Sequence, residues 1–135
     1  MKSLASKSGG WAVVTGATAG IGKSFAHQLA LDVMHIVLVA RSEDALRETA
    51  EELRTRYSIQ TRVLAMDLAH PIAAETVDLE TRDLDVGLLI NNAAAEQRGA
   101  FVSHSVEELR NAIDLNVTTP TELGQRFGRR FVTRR

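Results

Sequence analysis

The 135-residue sequence contains no cysteine, so neither a disulfide framework nor a zinc site built on thiolates is possible. Its longest apolar runs fall far short of the roughly 20 residues that a membrane helix needs. The formal net charge is -1, which gives no overall attraction to nucleic acid or to acidic membranes. The first ten residues lack the apolar core of a signal peptide. These absences favour a cytoplasmic protein with no nucleic-acid partner and no membrane partner.

The composition is that of a globular protein, with 44% hydrophobic and 24% charged residues. We interpret residues 1–135 as one domain with a flexible leader at 1–9, because this length is enough to bury a core. The four histidines show no ligand spacing, and we therefore predict no metal site. The arginines after position 125 alternate with Phe127 and Phe131 at helical spacing, which favours a helix end over a nucleic-acid surface.

The most informative stretch is an apolar run at 11–15 that leads into a glycine-rich turn and a helix at 23–30. Gly16 would permit a sharp turn, Gly20 the close approach of a pyrophosphate, and Gly22 the packing of helix against strand. Backbone N–H groups in such a turn bind anions, and the helix dipole adds positive potential. The alternative is a glycine turn that connects strand and helix and binds nothing.

Further strands are predicted at 34–40, 61–66 and 86–90, and helices at 42–57 and, more weakly, at 73–82. A capping-box pattern at 105–108 opens a third long helix, which Pro120 should kink or break. Alternating strands and helices predict an α/β fold. We expect a Rossmann-type, doubly wound parallel sheet of order 3-2-1-4, incomplete because it lacks the later strands. Two helical stripes should face the core: Ile21, Phe25, Ala26 and Leu29 in the first helix, and Leu109, Ala112, Ile113 and Val117 in the third.

Four segments, each at an expected element boundary, resemble motifs of the short-chain dehydrogenase/reductase family. They are the glycine loop at 15–22, the pair at 67–68, the Asn-Asn-Ala-Ala segment at 91–94, and Asn116. The resemblance implies that the last of these is an active-site asparagine that organises a proton relay. It also implies a set of cofactor-binding residues: Gly16, Thr18, Ala19, Gly20, Ile21, Gly22, Arg41, Asp67, Leu68, Asn92, Ala93 and Ala94.

The sequence departs from the family pattern at two places. Ala94 replaces a glycine, which is tolerable if the backbone there keeps a negative φ. Val33 stands where the family often has a glycine that ends the first helix. A β-branched residue is a poor choice for a left-handed cap, so we expect this helix to end by another route.

The end of the second strand bears on the choice of cofactor. An acidic residue there would bind the ribose 2′-OH of NAD, but the sequence has Ala40 followed by Arg41. A guanidinium group suits a 2′-phosphate, and the resemblance therefore implies NADP(H). The alternative is that Arg41 is one more solvated surface arginine.

The resemblance implies an NADP-dependent oxidoreductase that moves a hydride between NADP(H) and a carbonyl or alcohol substrate. The family's chemistry needs a Tyr-x-x-x-Lys pair and usually a serine, whereas the single tyrosine here, Tyr57, lies in a predicted helix and lacks that lysine. We therefore expect the cofactor-binding N-terminal half of an enzyme, inactive by itself and able to self-associate through an exposed sheet edge. The alternative is a non-catalytic nucleotide-binding or interaction module.

Overall fold

The computed structural model describes residues 4–134, which form a parallel sheet flanked by helices. The four strands are β1 (Trp11–Thr15), β2 (His35–Ala40), β3 (Thr61–Ala65) and β4 (Val86–Ile90). They are ordered β3-β2-β1-β4, and every neighbouring pair is parallel. The sheet order predicted from the sequence is therefore confirmed.

Helices connect the strands, as parallel pairing requires. They are α1 (Leu4–Ser8), α2 (Gly20–Leu31), α3 (Glu43–Tyr57), α4 (Ala73–Leu79), α5 (Val106–Ile113) and α6 (Thr119–Thr133). A 3₁₀ turn lies at Phe101–Ser103, and a π-helical turn at Asp114–Thr118 joins α5 to α6. Helix α2 thus starts earlier than expected, at Gly20, and α4 is shorter than the predicted segment at 73–82.

The sheet has an apolar cluster on each face. One face packs against α2 and α3 through residues such as Ile36, Leu38 and Leu46. The other packs against α4 and α6 through residues such as Val37, Val77 and Phe127. Successive residues of β2 therefore enter opposite clusters, which explains why this strand is apolar without alternation.

The apolar stripe predicted for α2 is wrong in part. Ala26 and Leu29 are buried, but Ile21 is 71% exposed and Phe25 is 43% exposed. Helical spacing identifies an apolar face without showing what covers it. Here the described residues cover only the side of α2 that lies against the sheet and α3.

The stripe predicted for the third long helix is also covered only in part. No residue of α5 is buried, and Ile113 and Val117 are each 57% exposed. Burial begins only in α6, at Thr119, Leu123 and Phe127. The amphipathic pattern is therefore present, but the described residues cover its apolar face in α5 only in part, since Leu109 and Ala112 are half-buried.

The end of α2 overturns the expectation for Val33. This residue does take the left-handed conformation, with φ 64°, and its N–H donates to the Ala30 carbonyl at 3.0 Å. The N–H of Met34 donates to the Leu29 carbonyl at 3.1 Å, which completes a Schellman motif. Burial of both Met34 and Leu29 brings an apolar contact that fixes the turn, so valine is held where glycine would be easier.

The helix changes type directly before Pro120. In a regular α-helix the proline ring would clash with the carbonyl of Asn116, four residues earlier. The wider π-helical turn relieves that crowding, and Pro120 then lies in the first turn of α6, where no N–H is required. The predicted interruption is therefore a change of helix type and does not end the helical segment.

The predicted flexible leader, at 1–9, lies partly outside the described residues. Within the described part, Leu4–Ser8 is a short helix and Ala5 packs against the cluster that contains α2. Searching the described chain finds no helix with both the length and the apolar character needed to cross a bilayer.

Candidate functional site

A cleft of about 690 Å³ opens where the carboxyl ends of the strands meet. Its volume lies within the usual range of roughly 300–1,000 Å³ for ligand pockets. Open parallel sheets bind ligands at this edge, where successive connections leave toward opposite faces. The lining residues are Gly16, Thr18, Ala40, Arg41, Ser42, Met66, Asp67, Leu68, Asn92, Ala93, Ala94, Ala95 and Leu115.

Two glycines of the loop after β1 have positive φ, 64° at Gly16 and 52° at Gly20. At Gly16 a Cβ would lie 2.7 Å from Asn92 Nδ2 and 3.0 Å from Ala93 Cα, so the loop after β4 approaches too closely for a side chain. At Gly20 a Cβ would meet nothing within 4 Å. The chain is thus tightly packed at the first glycine and open at the second, which leaves room for a ligand group.

The first turn of α2 is pressed onto this loop. A Cβ at Gly22 would collide with the Gly16 carbonyl oxygen and with Asn92 Nδ2. The N-cap residue, Ala19, has no side chain that could accept a hydrogen bond from the helix. The first N–H groups of α2 therefore keep their donor capacity beside the cleft, and together with the helix dipole they suit an anionic group.

Thr15 ties the two loops that bound the cleft. Its Oγ1 donates to the Ile90 carbonyl at 3.3 Å and accepts from the N–H groups of Asn92 and Ala93, each at 3.0 Å. Asn92 Nδ2 in turn donates to the carbonyls of Thr15 and Gly16, each at 3.1 Å. The sequence places Thr15 at the start of the glycine loop but does not predict these contacts, and the signal it offers is a polar residue that ends an apolar strand.

Arg41 lines the cleft beside the N-terminus of α3. Its side chain is exposed and forms no ion pair or hydrogen bond with the described residues. Ser42 caps α3, because its Oγ accepts from the Ala45 N–H at 3.3 Å. The acidic Glu43 is already engaged by Arg47 at 2.5 Å. The Arg41 guanidinium therefore remains available to an anion.

The wall after β3 is held from α6. Thr119 is buried, and its Oγ1 donates to the Leu68 carbonyl at 2.5 Å. Asp67 is exposed at the cleft, and its Oδ1 accepts from the Ala69 N–H at 2.9 Å. The predicted adenine-binding pair is thus fixed by the backbone of Leu68 and by a local turn.

Asn116 does not line the cleft but holds a residue that does. Its Oδ1 accepts from the Ala95 N–H at 2.9 Å, and its Nδ2 donates to the Ala95 carbonyl at 2.8 Å. The reciprocal pair binds the π-helical turn to the segment after β4. Ala94, in the same segment, keeps a negative φ, as its replacement of glycine requires. Among the described non-glycine residues only Val33 and Ser58 have a positive φ.

The structure therefore brings most of the predicted residues to one cleft. Four of them, Ala19, Gly20, Ile21 and Gly22, lie in the loop and first helical turn next to it and not in its walls. The sequence missed several lining residues. Ala40, Ser42 and Met66 stand next to strand ends and could have been found by that position, whereas Ala95 and Leu115 carried no signal.

Side-chain contacts join α2 and α3 beyond their N-termini at the cleft. Lys23 of α2 and Glu52 of α3 form an ion pair at 2.8 Å, and this ammonium group lowers the pKa of the Glu52 carboxyl. His27 completes these contacts, since its ring contacts Glu52 Oε1 at 3.3 Å through Nε2 and the Tyr57 hydroxyl at 3.0 Å through Nδ1. The single tyrosine therefore joins two helices and is not among the residues that line the cleft.

Comparison with known proteins gives one family. The model of the short chain dehydrogenase family matches residues 10–135. A very-long-chain 3-oxoacyl-CoA reductase of Meyerozyma guilliermondii is 39% identical over 123 residues, which cover 88% of this chain and 36% of the relative. That relative carries the name of a reductase.

Two solved structures extend the comparison. That of a 7β-hydroxysteroid dehydrogenase superposes with a TM-score of 0.95 at 33% identity and covers 98% of this chain and 52% of its own. That of a short-chain dehydrogenase from Sphingobium yanoikuyae in complex with NADPH gives 0.86 at 35% identity, over 91% of this chain and 48% of its own. The chain therefore spans about half the length of these structures.

Proposed function

This chain belongs to the short-chain dehydrogenase family, and on that premise we propose that it forms the NADP(H)-binding part of an oxidoreductase. The proposed reaction moves a hydride between NADP(H) and a carbonyl or alcohol carbon of a small molecule. The observation that carries the proposal is the cleft at the carboxyl ends of the strands, which combines an uncapped helix start, a free guanidinium and an open glycine. These are the groups that a phosphorylated dinucleotide needs.

The loop at 16–22 would hold the diphosphate. Gly20 leaves open space on the ligand side, and the first N–H groups of α2 would donate to phosphate oxygens. Gly16 and Gly22 let the loop after β4 and the start of α2 close up behind it. The diphosphate would then lie against backbone donors that need no rearrangement.

Arg41 would bind the 2′-phosphate that distinguishes NADP(H) from NAD(H). Its guanidinium has no partner among the described residues and stands at the N-terminus of α3, where the helix dipole also favours negative charge. The relative from Sphingobium yanoikuyae, 35% identical, is a complex with NADPH, which supports the same cofactor here.

The cleft walls after β3 and β4 would position the adenine base and the nicotinamide half of the cofactor. Asp67 and Leu68 would contact the adenine, and Asn92, Ala93 and Ala94 would line the path toward the nicotinamide. When bound, NADPH supplies the hydride, and the protein supplies its position and the exclusion of water. Asn116 would hold the segment after β4 through Ala95 and would organise the proton relay next to it.

The substrate is proposed at the level of its reacting group. The named relatives are a 3-oxoacyl-CoA reductase and a hydroxysteroid dehydrogenase, names that share a carbonyl or a hydroxyl as the reacting group. We propose the same pair of groups for this protein.

The chemistry is proposed to need residues beyond this sequence. A proton donor with the reactivity of a positioned tyrosine is required near the carbonyl oxygen. The single tyrosine, Tyr57, has no lysine four residues later and contacts His27 between α2 and α3. We therefore propose that a longer chain carries the tyrosine, lysine and serine, and that the 135-residue chain has no reductase activity by itself.

Titration of the chain with NADPH, followed by NADPH fluorescence, tests the proposal. Gly20→Val should abolish binding, because it places a branched side chain in the space left for the diphosphate. Gly99→Val is the matched control, since Gly99 also has a positive φ, 102°, but lies outside the cleft lining. Retained tight binding in a Gly20→Val protein with an unchanged circular dichroism spectrum would contradict the assignment of this loop.

A further inference from the structure

A second cavity, of about 590 Å³, lies between α4 and α6. We propose that this arginine cavity binds an oxyanion, specifically a phosphate group, independently of the cofactor cleft. Four guanidinium groups and one carboxylate leave a formal charge of +3 around it (four minus one). Its lining residues are Asp78, Arg82, Gln125, Arg126, Arg129 and Arg130.

One of the arginines is part of the fold. Arg130 Nη1 donates to Asp78 Oδ1 at 3.3 Å and to Thr81 Oγ1 at 2.9 Å. Its Nη2 donates to the carbonyls of Thr81 and Leu84 at 2.8 and 3.1 Å. The guanidinium also lies over the Phe127 ring, 4.7 Å from its centroid. Arg130 therefore fixes the turn after α4 to α6 and forms the rigid inner wall of the cavity.

The other arginines are not satisfied by the carboxylate. The Asp78 side chain is only 12% exposed, and its Oδ2 is shared by Arg126 at 3.6 Å and Arg82 at 3.7 Å. Both distances allow ionic attraction but are too long for hydrogen bonds. Arg129 is exposed and has no hydrogen-bond or ion-pair partner among the described residues. Three guanidinium groups thus keep free donors at the mouth of one cavity.

A phosphate group matches this arrangement. Guanidinium groups present planar pairs of N–H donors, and a tetrahedral oxyanion accepts from several of them at once. The Gln125 side chain adds an amide donor at the same wall. The anion would lie outward of Asp78, in contact with Arg82, Arg126 and Arg129, because the buried carboxylate repels it from the floor.

The arginine cavity is remote from the cofactor cleft. Helix α6 starts at the cleft, where Thr119 contacts Leu68, and runs to Arg134, whose Nη1 donates to the Val86 carbonyl at the start of β4 at 3.2 Å. Arg126 and Arg129 lie in the half of α6 that approaches the opposite edge of the sheet. Phosphate binding there should not compete with a dinucleotide.

Equilibrium dialysis of the 135-residue chain against labelled inorganic phosphate, at constant ionic strength, tests the proposal. Replacing Arg126 and Arg129 together by glutamine should weaken binding about tenfold or more, since charge-assisted hydrogen bonds are lost. Arg56→Gln, on the exposed last turn of α3 and outside the cleft lining, is the matched control and should bind as the wild type does. Because the control keeps the cofactor cleft intact, the difference between the variants reports the arginine cavity alone.

A second variant and a second arm complete the test. Arg129→Gln alone removes no contact to a described residue, so it keeps the fold and should still lower phosphate affinity. Flotation with phosphatidylcholine vesicles, with and without phosphatidic acid, distinguishes a lipid headgroup from free phosphate. Loss of binding in either arm, confined to the cavity variants, supports the proposal and identifies the source. Equal binding by all variants, or no binding in both arms, would overturn it.

Discussion

The hydroxyl of Thr15 offers the sharpest test of how the cleft is held together. Thr15→Val keeps the volume and the branched shape of a buried side chain but removes the acceptor of two backbone N–H groups, those of Asn92 and Ala93. Thr15→Ser does the opposite, since it keeps the hydroxyl and removes one methyl group. The two variants therefore separate hydrogen bonding from packing at one position.

The magnitudes follow from these contacts. A buried N–H left without a partner costs about 1–3 kcal/mol. Asn92 and Ala93 are half-buried, so water can partly replace the hydroxyl, and we expect a total loss of roughly 2–4 kcal/mol for Thr15→Val. Removal of one methyl group in Thr15→Ser should cost only about 1 kcal/mol.

Urea unfolding followed by circular dichroism measures both free energies by linear extrapolation. Low protein concentration keeps self-association out of the comparison. NADPH affinity should fall in Thr15→Val, because the loops after β1 and β4 are no longer fastened to each other, and should be kept in Thr15→Ser. A Thr15→Val protein as stable as Thr15→Ser, or more stable, would refute the reasoning.

Two further predictions concern stability and assembly. Val33→Gly should raise the free energy of unfolding by roughly 1 kcal/mol. The left-handed strain of valine exceeds the entropy cost of glycine, and the exposed valine side chain contributes little burial. An unchanged or lower free energy in urea unfolding would contradict this. The 135-residue chain should elute as oligomers in size exclusion, since β4 has a free edge and Ile113 and Val117 are exposed. It should show no turnover of ketones or aldehydes with NADPH. A stable monomer that turns over substrate would contradict both expectations.

The sheet could be predicted because its evidence is local and repeated. Each strand is a short apolar run next to a helical segment, and the right-handed crossover rule then leaves few possible orders. The glycine loop could be predicted as well, because Gly16, Gly20 and Gly22 stand between an apolar run and a helical segment. The structure gives the steric reason at Gly16 and Gly22, where a side chain would collide with neighbouring atoms.

The end of α2 shows where residue preference fails. A rule against left-handed valine is sound on average. At Val33 it is outweighed by two backbone hydrogen bonds and by the burial of Met34 and Leu29 on either side of the turn. Tertiary packing of the neighbours decided the conformation, and the residue's own preference did not.

The fastening of the cleft could not be predicted, because it joins residues far apart in sequence. Thr15 binds Asn92 across 77 positions, and Thr119 binds Leu68 across 51. The position of Thr15 at the end of an apolar strand indicates a role but not its partners, and Thr119 carries no such signal. The same limit applies to α5: the sequence predicts its apolar face but not which residues pack against that face.

The most direct test of the proposed function is the affinity of the protein for NADPH and NADH, measured in the wild type and in Arg41→Ala. Arg56→Ala, on the exposed last turn of α3 and outside the cleft lining, is the control. If Arg41 contacts the 2′-phosphate, its loss should cost about 1.5–3 kcal/mol, which is roughly a ten- to hundredfold loss of affinity for NADPH. NADH affinity should stay the same, and the control should match the wild type with both cofactors. Equal ratios of NADPH to NADH affinity in wild type and Arg41→Ala would contradict the assignment of this cleft to NADP(H).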